Sequence, residues 1–183
     1  LTACNLEKGS FKRVRDQLEA TLRQDRRLFQ QLKPATQAVY TQYLAAAIAD
    51  NNADEVTRLH QLGVGINALL GNQRSPLIHA LLQGKFKAAV VLLALEADVN
   101  ASVLLTRVEL LEAVKQMSRA AYVRCTDWLV GKVGDEVSVT VIELAKIAGD
   151  AGVIRLIEQR TQVLQFQNNN NVLPADLPPP SYA

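Results

Sequence analysis

The chain has 183 residues, enough for one cooperative unit or a small domain with a tail, and too few for two large domains. Forty-nine per cent of it is apolar and only 5% aromatic, an Ala/Leu/Val composition that suits close stacking of helices better than sheets with aromatic ladders. The formal charge of +2 comes with no basic stripe interleaved with aromatic residues, so nucleic acid is not an expected partner, and no run of 18 or more apolar residues is present to span a bilayer.

Leu1-Thr2-Ala3-Cys4 brings small residues up to a cysteine. The stretch resembles the end of a bacterial lipoprotein signal peptide, in which the Cys is lipidated and becomes the first residue of the mature chain. That resemblance implies a lipid on Cys4, and Asn5 rather than Asp after it leans towards the periplasmic face of the outer membrane. Acyl chains contribute about 0.8 kcal/mol per buried methylene, so several on one Cys anchor a chain stably. The other reading of Cys4 is an ordinary surface cysteine.

Residues 5–34 read as an N-terminal cap. After a Gly9-Ser10 break, apolar residues at Phe11, Val14, Leu18, Leu22, Leu28, Phe29 and Leu32 describe an amphipathic helix broken near Asp25. Pro34 separates it from a first unit at about 35–68. That unit holds an alanine-rich helix over 35–49, a turn at Asn51-Asn52-Ala53-Asp54 with Asp54 as the N-cap, and a second helix with Val56, Leu59 and Leu62 facing inward before Gly63.

A second unit covers about 69–101. Its connector carries Leu69 and Leu70, which either tuck under the connector or face a partner. Ser75-Pro76 starts a helix, Gly84 breaks it, and a second apolar helix exits through Asp98-Val99-Asn100. Displaced by 33 residues, Leu77 falls on Leu44, Ala80 on Ala47, Leu92 on Leu59, Leu95 on Leu62, Val99 on Ile66 and Asn100 on Asn67. A period of that length in a helical pattern predicts stacked helix pairs.

The unit at about 102–133 is degenerate. It has a Leu104-Leu105 pair in its connector, Met117-Ser118 at the helix break, and Cys125 where Leu92 stood, as a small buried hydrophobe. The unit at 134–160 recovers the pattern, with Thr140 to Ala145 standing for Ser75 to Ala80, Gly149 for Gly84, and Val153, Ile154, Leu156 and Ile157 in the second helix. Residues 161–183 form a tail with four asparagines and then three prolines. The expected fold is thus all-α: a solenoid of stacked helix-turn-helix units with short hairpin connectors, one half cap followed by four units in chain order.

Ser75, Pro76, Leu77, Ala80, Gly84, Leu92, Leu93, Ala97, Asp98, Val99, Asn100 and Ala101 make residues 75–101 closely resemble the ankyrin repeat. The chain departs from that pattern at Ile78, where the family has His, and at Glu96, where it has Gly. The resemblance implies a concave binding face built from first helices and connectors, and a protein as the thing bound.

No catalytic site is expected. His60 and His79 lie in different units, His79 reading as a packed core histidine, and the two cysteines cannot supply a four-sulfur metal site. No phosphate-binding Gly loop follows a strand, and carboxylates occur singly. No cofactor beyond the lipid, no metal and no small-molecule substrate is expected. The candidate partner surface is Asp50, Gln83, Lys85, Gln116 and Arg119 near the helix ends, with Leu69, Leu70, Asn72, Arg74, Leu104, Leu105, Arg107, Lys132 and Asp135 in the connectors. Small envelope lipoproteins made of one protein-binding domain include immunity proteins, and the chain resembles that class, with type VI secretion as the expected setting. That likeness implies steric inhibition of a toxic effector acting in the periplasm, such as a phospholipase. The alternative is a structural or accessory lipoprotein subunit of an envelope or secretion complex.

Overall fold

The computed structural model describes residues 3–71 and 73–170, with side chains for 12–71 and 73–167. Among them run α1 (Ala3–Gln24), a 3₁₀ helix (Arg26–Gln31), α2 (Pro34–Ala49), α3 (Ala53–Gln61), α4 (Pro76–Leu82), α5 (Phe86–Ala94), β1 (Ser102–Thr106), α6 (Arg107–Met117), α7 (Arg119–Leu129), β2 (Glu136–Thr140), α8 (Val141–Ala148) and α9 (Ala151–Asn170). The molecule is predominantly helical, as expected. The break foreseen at Asp25 is present: its carboxylate accepts from Arg27 N at 2.9 Å and starts the 3₁₀ turn. The one foreseen at Gly9-Ser10 is not, since α1 runs straight through both residues.

Local chemistry sets most helix ends. Pro34 and Pro76 occupy the first turns of α2 and α4, where a missing N–H costs nothing. Asn52, rather than Asp54, caps α3 by accepting from Glu55 N at 3.1 Å, which puts Asp54 inside the first turn. Ser118 both ends α6 and caps α7, accepting from Ala121 N at 3.0 Å. Gly63, at φ +98°, ends α3 against the carbonyl of Arg26 and the Cβ of Phe29, an approach that leaves no space for a side chain.

The 33-residue correspondence holds in the packing. Leu44 and Leu77, Ala47 and Ala80, Leu59 and Leu92, and Ile66 and Val99 are all buried, whereas Leu95 is half-buried where Leu62 is fully buried. The first two units are stitched by side chains from two turns of the first, the break between α2 and α3 and the exit after α3: Asn51 Oδ1 accepts from Ala88 N at 3.1 Å and Asn67 Oδ1 from Asp98 N at 2.9 Å. α2 packs on α4 and α3 on α5.

The order of stacking then departs from the sequence reading. α4 packs directly on α8, and α5 on α9, so the last helix pair follows the second. Its register agrees. Thr140 caps α8 as Ser75 caps α4, Gly149 and Gly84 both have positive φ, and Ala88 and Leu92 match Val153 and Ile157, all fully buried. Arg160 of α9 reaches Glu96 at 3.2 Å across this junction. The pair α6–α7 stands beside the row, with α6 against the edges of α4 and α8 and α7 against α8.

Its connectors form an antiparallel ribbon in which Ser102 pairs with Thr140 and Thr106 with Glu136. The period-2 alternation of strands turns Leu105, Val137 and Val139 into the core and Leu104 and Ser138 outward. Finally, α9 continues ten residues beyond 160, the point where the tail was expected to begin, and Leu164 still packs against the core. An established helix extends at one hydrogen bond per residue, which carries it into the asparagine run. Residues 171–183, with the proline run, lie outside the described residues.

Candidate functional site

The α4 sequence buries Leu77, Ile78, Ala80 and Leu81, which leaves His79 and Gln83, one turn apart, on its open side. Their side chains meet at 3.2 Å. Facing them is α6, begun by a reciprocal cap: Glu109 N donates to Thr106 Oγ1 at 3.2 Å, and Thr106 N donates to Glu109 Oε2 at 2.9 Å. From Glu109 the open face of α6 continues through Glu112 and Gln116.

Between the two helices lies a cleft of about 340 Å³, with Leu82 and Leu105 among its walls and Arg74 and Ala113 at its margin. Arg74 Nη2 stands 3.6 Å from Glu109 Oε1 and links the connector before α4 to α6. Hydrogen bonds from the Thr106 backbone and hydroxyl hold the Glu109 carboxyl below its ordinary range. Burial, and then the charge of Arg74, push the His79 imidazole below its ordinary value and favour its neutral form. The cleft thus presents carboxylate, amide and imidazole groups beside the apolar walls of Leu82 and Leu105, a set that can receive a polar or basic side chain of a partner.

Four of the expected residues meet here: Arg74, Gln83, Leu105 and Gln116. Leu105 does so as buried wall, at 3% exposure, while its neighbour Leu104 is 62% exposed. The other leucine pair divides the same way, Leu70 at 2% and Leu69 at 57%, so each connector offers one leucine to the core and one to solvent.

Three other expected residues have structural partners. Arg107 Nε donates to Gly134 O at 2.6 Å and its guanidinium also reaches Lys132 O. The carbonyl of Asp135 accepts from Arg107 N at 2.9 Å. Lys132 Nζ sits 3.8 Å from the centroid of the Trp128 ring and 3.9 Å from Glu143 Oε1. These contacts clamp the base of the ribbon.

Asp50 is exposed at the end of α2, Arg119 is exposed at the start of α7, and Lys85 is half-buried before α5; none of the three lines the cleft. Asn72 and the Cys4 side chain lie outside the described residues.

Glu109 and Glu112 belong to the cleft and were not among the expected residues; their spacing with Gln116 placed them on one helical face. His79 is half-buried and lines the cleft, where a core position was expected. Cys125, by contrast, is fully buried as expected, and burial raises its thiol pKa. Among the described residues no cluster of side chains is arranged to hold a metal, and no helix is long and apolar enough to cross a membrane. Compared with protein families, curated proteins and solved structures, the chain has no match.

Proposed function

We propose that this chain is an ankyrin-type protein-binding module, tethered through lipidated Cys4 to the periplasmic face of the outer membrane. There it acts as an immunity protein that occludes a toxic effector such as a phospholipase. The repeat assignment is supported by matched burial across the 33-residue shift and by matched caps at Ser75 and Thr140. The observation that carries the binding role is the cleft between α4 and α6, which gathers Arg74, His79, Gln83, Glu109, Glu112 and Gln116 beside the buried walls Leu82 and Leu105. Polar groups that converge on one concave site can orient and select a side chain of a partner.

The test is a pair of measurements on the full-length precursor. Radiolabelled palmitate should enter the wild type and not a Cys4→Ser variant. The purified chain should form a one-to-one complex with the effector encoded by the adjoining gene and suppress that effector's toxicity. Absence of label defeats the tether, and absence of complex or protection defeats the immunity role.

A further inference from the structure

The first helices of the stacked units form a row, α8 on α4 and α4 on α2. α4 therefore has a first helix packed on each side, whereas α2, among the described residues, has one on a single side. On the other side of α2 lies α1, which approaches the second-helix layer instead: Glu19 of α1 accepts from Arg58 of α3 at 2.6 Å. Where the row would continue there is a groove of about 900 Å³, walled by α1 and α2.

Its surface is apolar. Val14 is 64% exposed, Val39 42% and Tyr43 44%, and Leu18, Ala35, Thr36 and Tyr40 also line the wall. Among the described residues, the charged ones lining it are Lys12 and Arg15, both cations and both on the α1 rim, Arg15 also pairing with Asp16 at 3.4 Å and Glu19 at 3.9 Å. α2 has 16 residues, so its outer face is about 24 Å long at 1.5 Å per residue, the length of a four- to five-turn helix.

We infer that the α1–α2 groove is a docking site for an amphipathic helix of a partner protein, one with a small apolar stripe and carboxylates along one flank. The docked helix takes the place next to α2 that α4 takes on the opposite side, and packs on Val39 and Tyr43. Its carboxylates meet Lys12 and Arg15. The direction of charge follows from the rim: a helix with a basic flank would bring like charges together, at a cost that selects against it. This surface is separate from the cleft between α4 and α6 and does not depend on the immunity reading.

The experiment uses the full chain and a fluorescein-labelled 16-residue synthetic helix with Ala and Leu on one stripe and Glu on its flanks, followed by anisotropy. Two control peptides replace every Glu with Lys or scramble the stripe. The Glu peptide should bind at least about tenfold more tightly than either control, and Val39→Glu should abolish binding. Lys12→Glu should move the preference towards the Lys peptide. Val39 and Lys12 are exposed, and unchanged thermal melts show that the variants are folded.

Equal binding of the three peptides, or Glu-peptide binding that survives Val39→Glu, would overturn the inference. So would sedimentation of the chain alone as a dimer that Val39→Glu makes monomeric, because the occupant would then be a second copy.

Discussion

The backbone N–H of Val141 donates to the carbonyl of Ala101 at 3.2 Å, although the whole of α6 and α7 separates them in sequence. The chain leaves the second unit at Ala101, runs out along β1, turns through two helices, and returns along β2 to the point where the next stacked unit begins. The α6–α7 pair is therefore a side excursion from the row, and it adds the second wall of the cleft.

The ribbon that closes this excursion has one dry face and one wet face. Val139 is fully buried and Leu104 is 62% exposed. Val139→Asp places a carboxylate in the core and should lower stability by about 3 kcal/mol or more, whereas Leu104→Asp should stay within about 0.5 kcal/mol of wild type. Urea melts of the two variants check the contrast; equal effects would mean that the ribbon does not have this register.

Arg124 of α7 donates through Nε to Ile147 O at 2.8 Å and through Nη2 to Ala148 O at 2.7 Å, closing the C-terminal end of α8. Gly149 follows at φ +82°, and a Cβ there would meet the same guanidinium. Gly149→Ala should cost about 1–2 kcal/mol, from the left-handed backbone and from displacement of Arg124. In the double variant with Arg124→Ala the losses should be less than additive, by about 0.5 kcal/mol or more, because the clash then disappears.

Arg58 fastens the cap to the stack. It donates to Glu19 Oε2 at 2.6 Å and, through two nitrogens, to both oxygens of Glu55 at 2.7 and 2.6 Å. The hydrogen-bonded Arg58 holds the Glu55 carboxyl below its ordinary range. Arg58 remains about one third exposed, so Arg58→Met should cost only about 1 kcal/mol globally. The local effect should be larger: limited proteolysis within α1 and the 3₁₀ turn should accelerate, while amides of α4 and α8 keep their exchange protection.

His79 links stability to pH. Burial and the Arg74 charge depress its folded-state pKa, so the unfolded chain binds the proton more readily. This contribution is fully present above the ordinary histidine value of about 6.5 and is lost as pH falls through the lower folded value. Lowering the pH from 7.5 to 5.5 should therefore destabilise wild type more than His79→Gln. Identical pH slopes for the two proteins in thermal melts would remove His79 from the account.

Local chemistry made most of the fold readable. Pro34 and Pro76 through their fixed backbone, Gly63 through its positive φ, and Ser75, Ser118 and Thr140 through side-chain hydrogen bonds mark helix ends, and each acts where the sequence placed it. The stacking order was not readable, because it depends on pairing 102–106 with 136–140 across two helices. Those five-residue strands adjoin helix starts and look like connectors. The displacement of 65 residues that brings Ser75 onto Thr140 held the clue, hidden by the assumption that units stack in chain order. In the cleft, Gln83 and Gln116 were visible from the repeat period, whereas Glu109 and Glu112 required α6 to be turned against α4, which is a tertiary fact. Leu70 and Leu105 were indistinguishable from Leu69 and Leu104 until the connector backbones set which member of each pair points inward.

The most direct test of the binding role is the affinity of the full chain for the purified effector encoded by its neighbouring gene, measured by isothermal titration alongside Glu112→Lys and Gln116→Lys. Both residues are exposed and line the cleft, so neither change should disturb the fold. The account predicts a one-to-one complex weakened about tenfold or more by each substitution. A complex of unchanged affinity in both variants, or no complex at all, would contradict it.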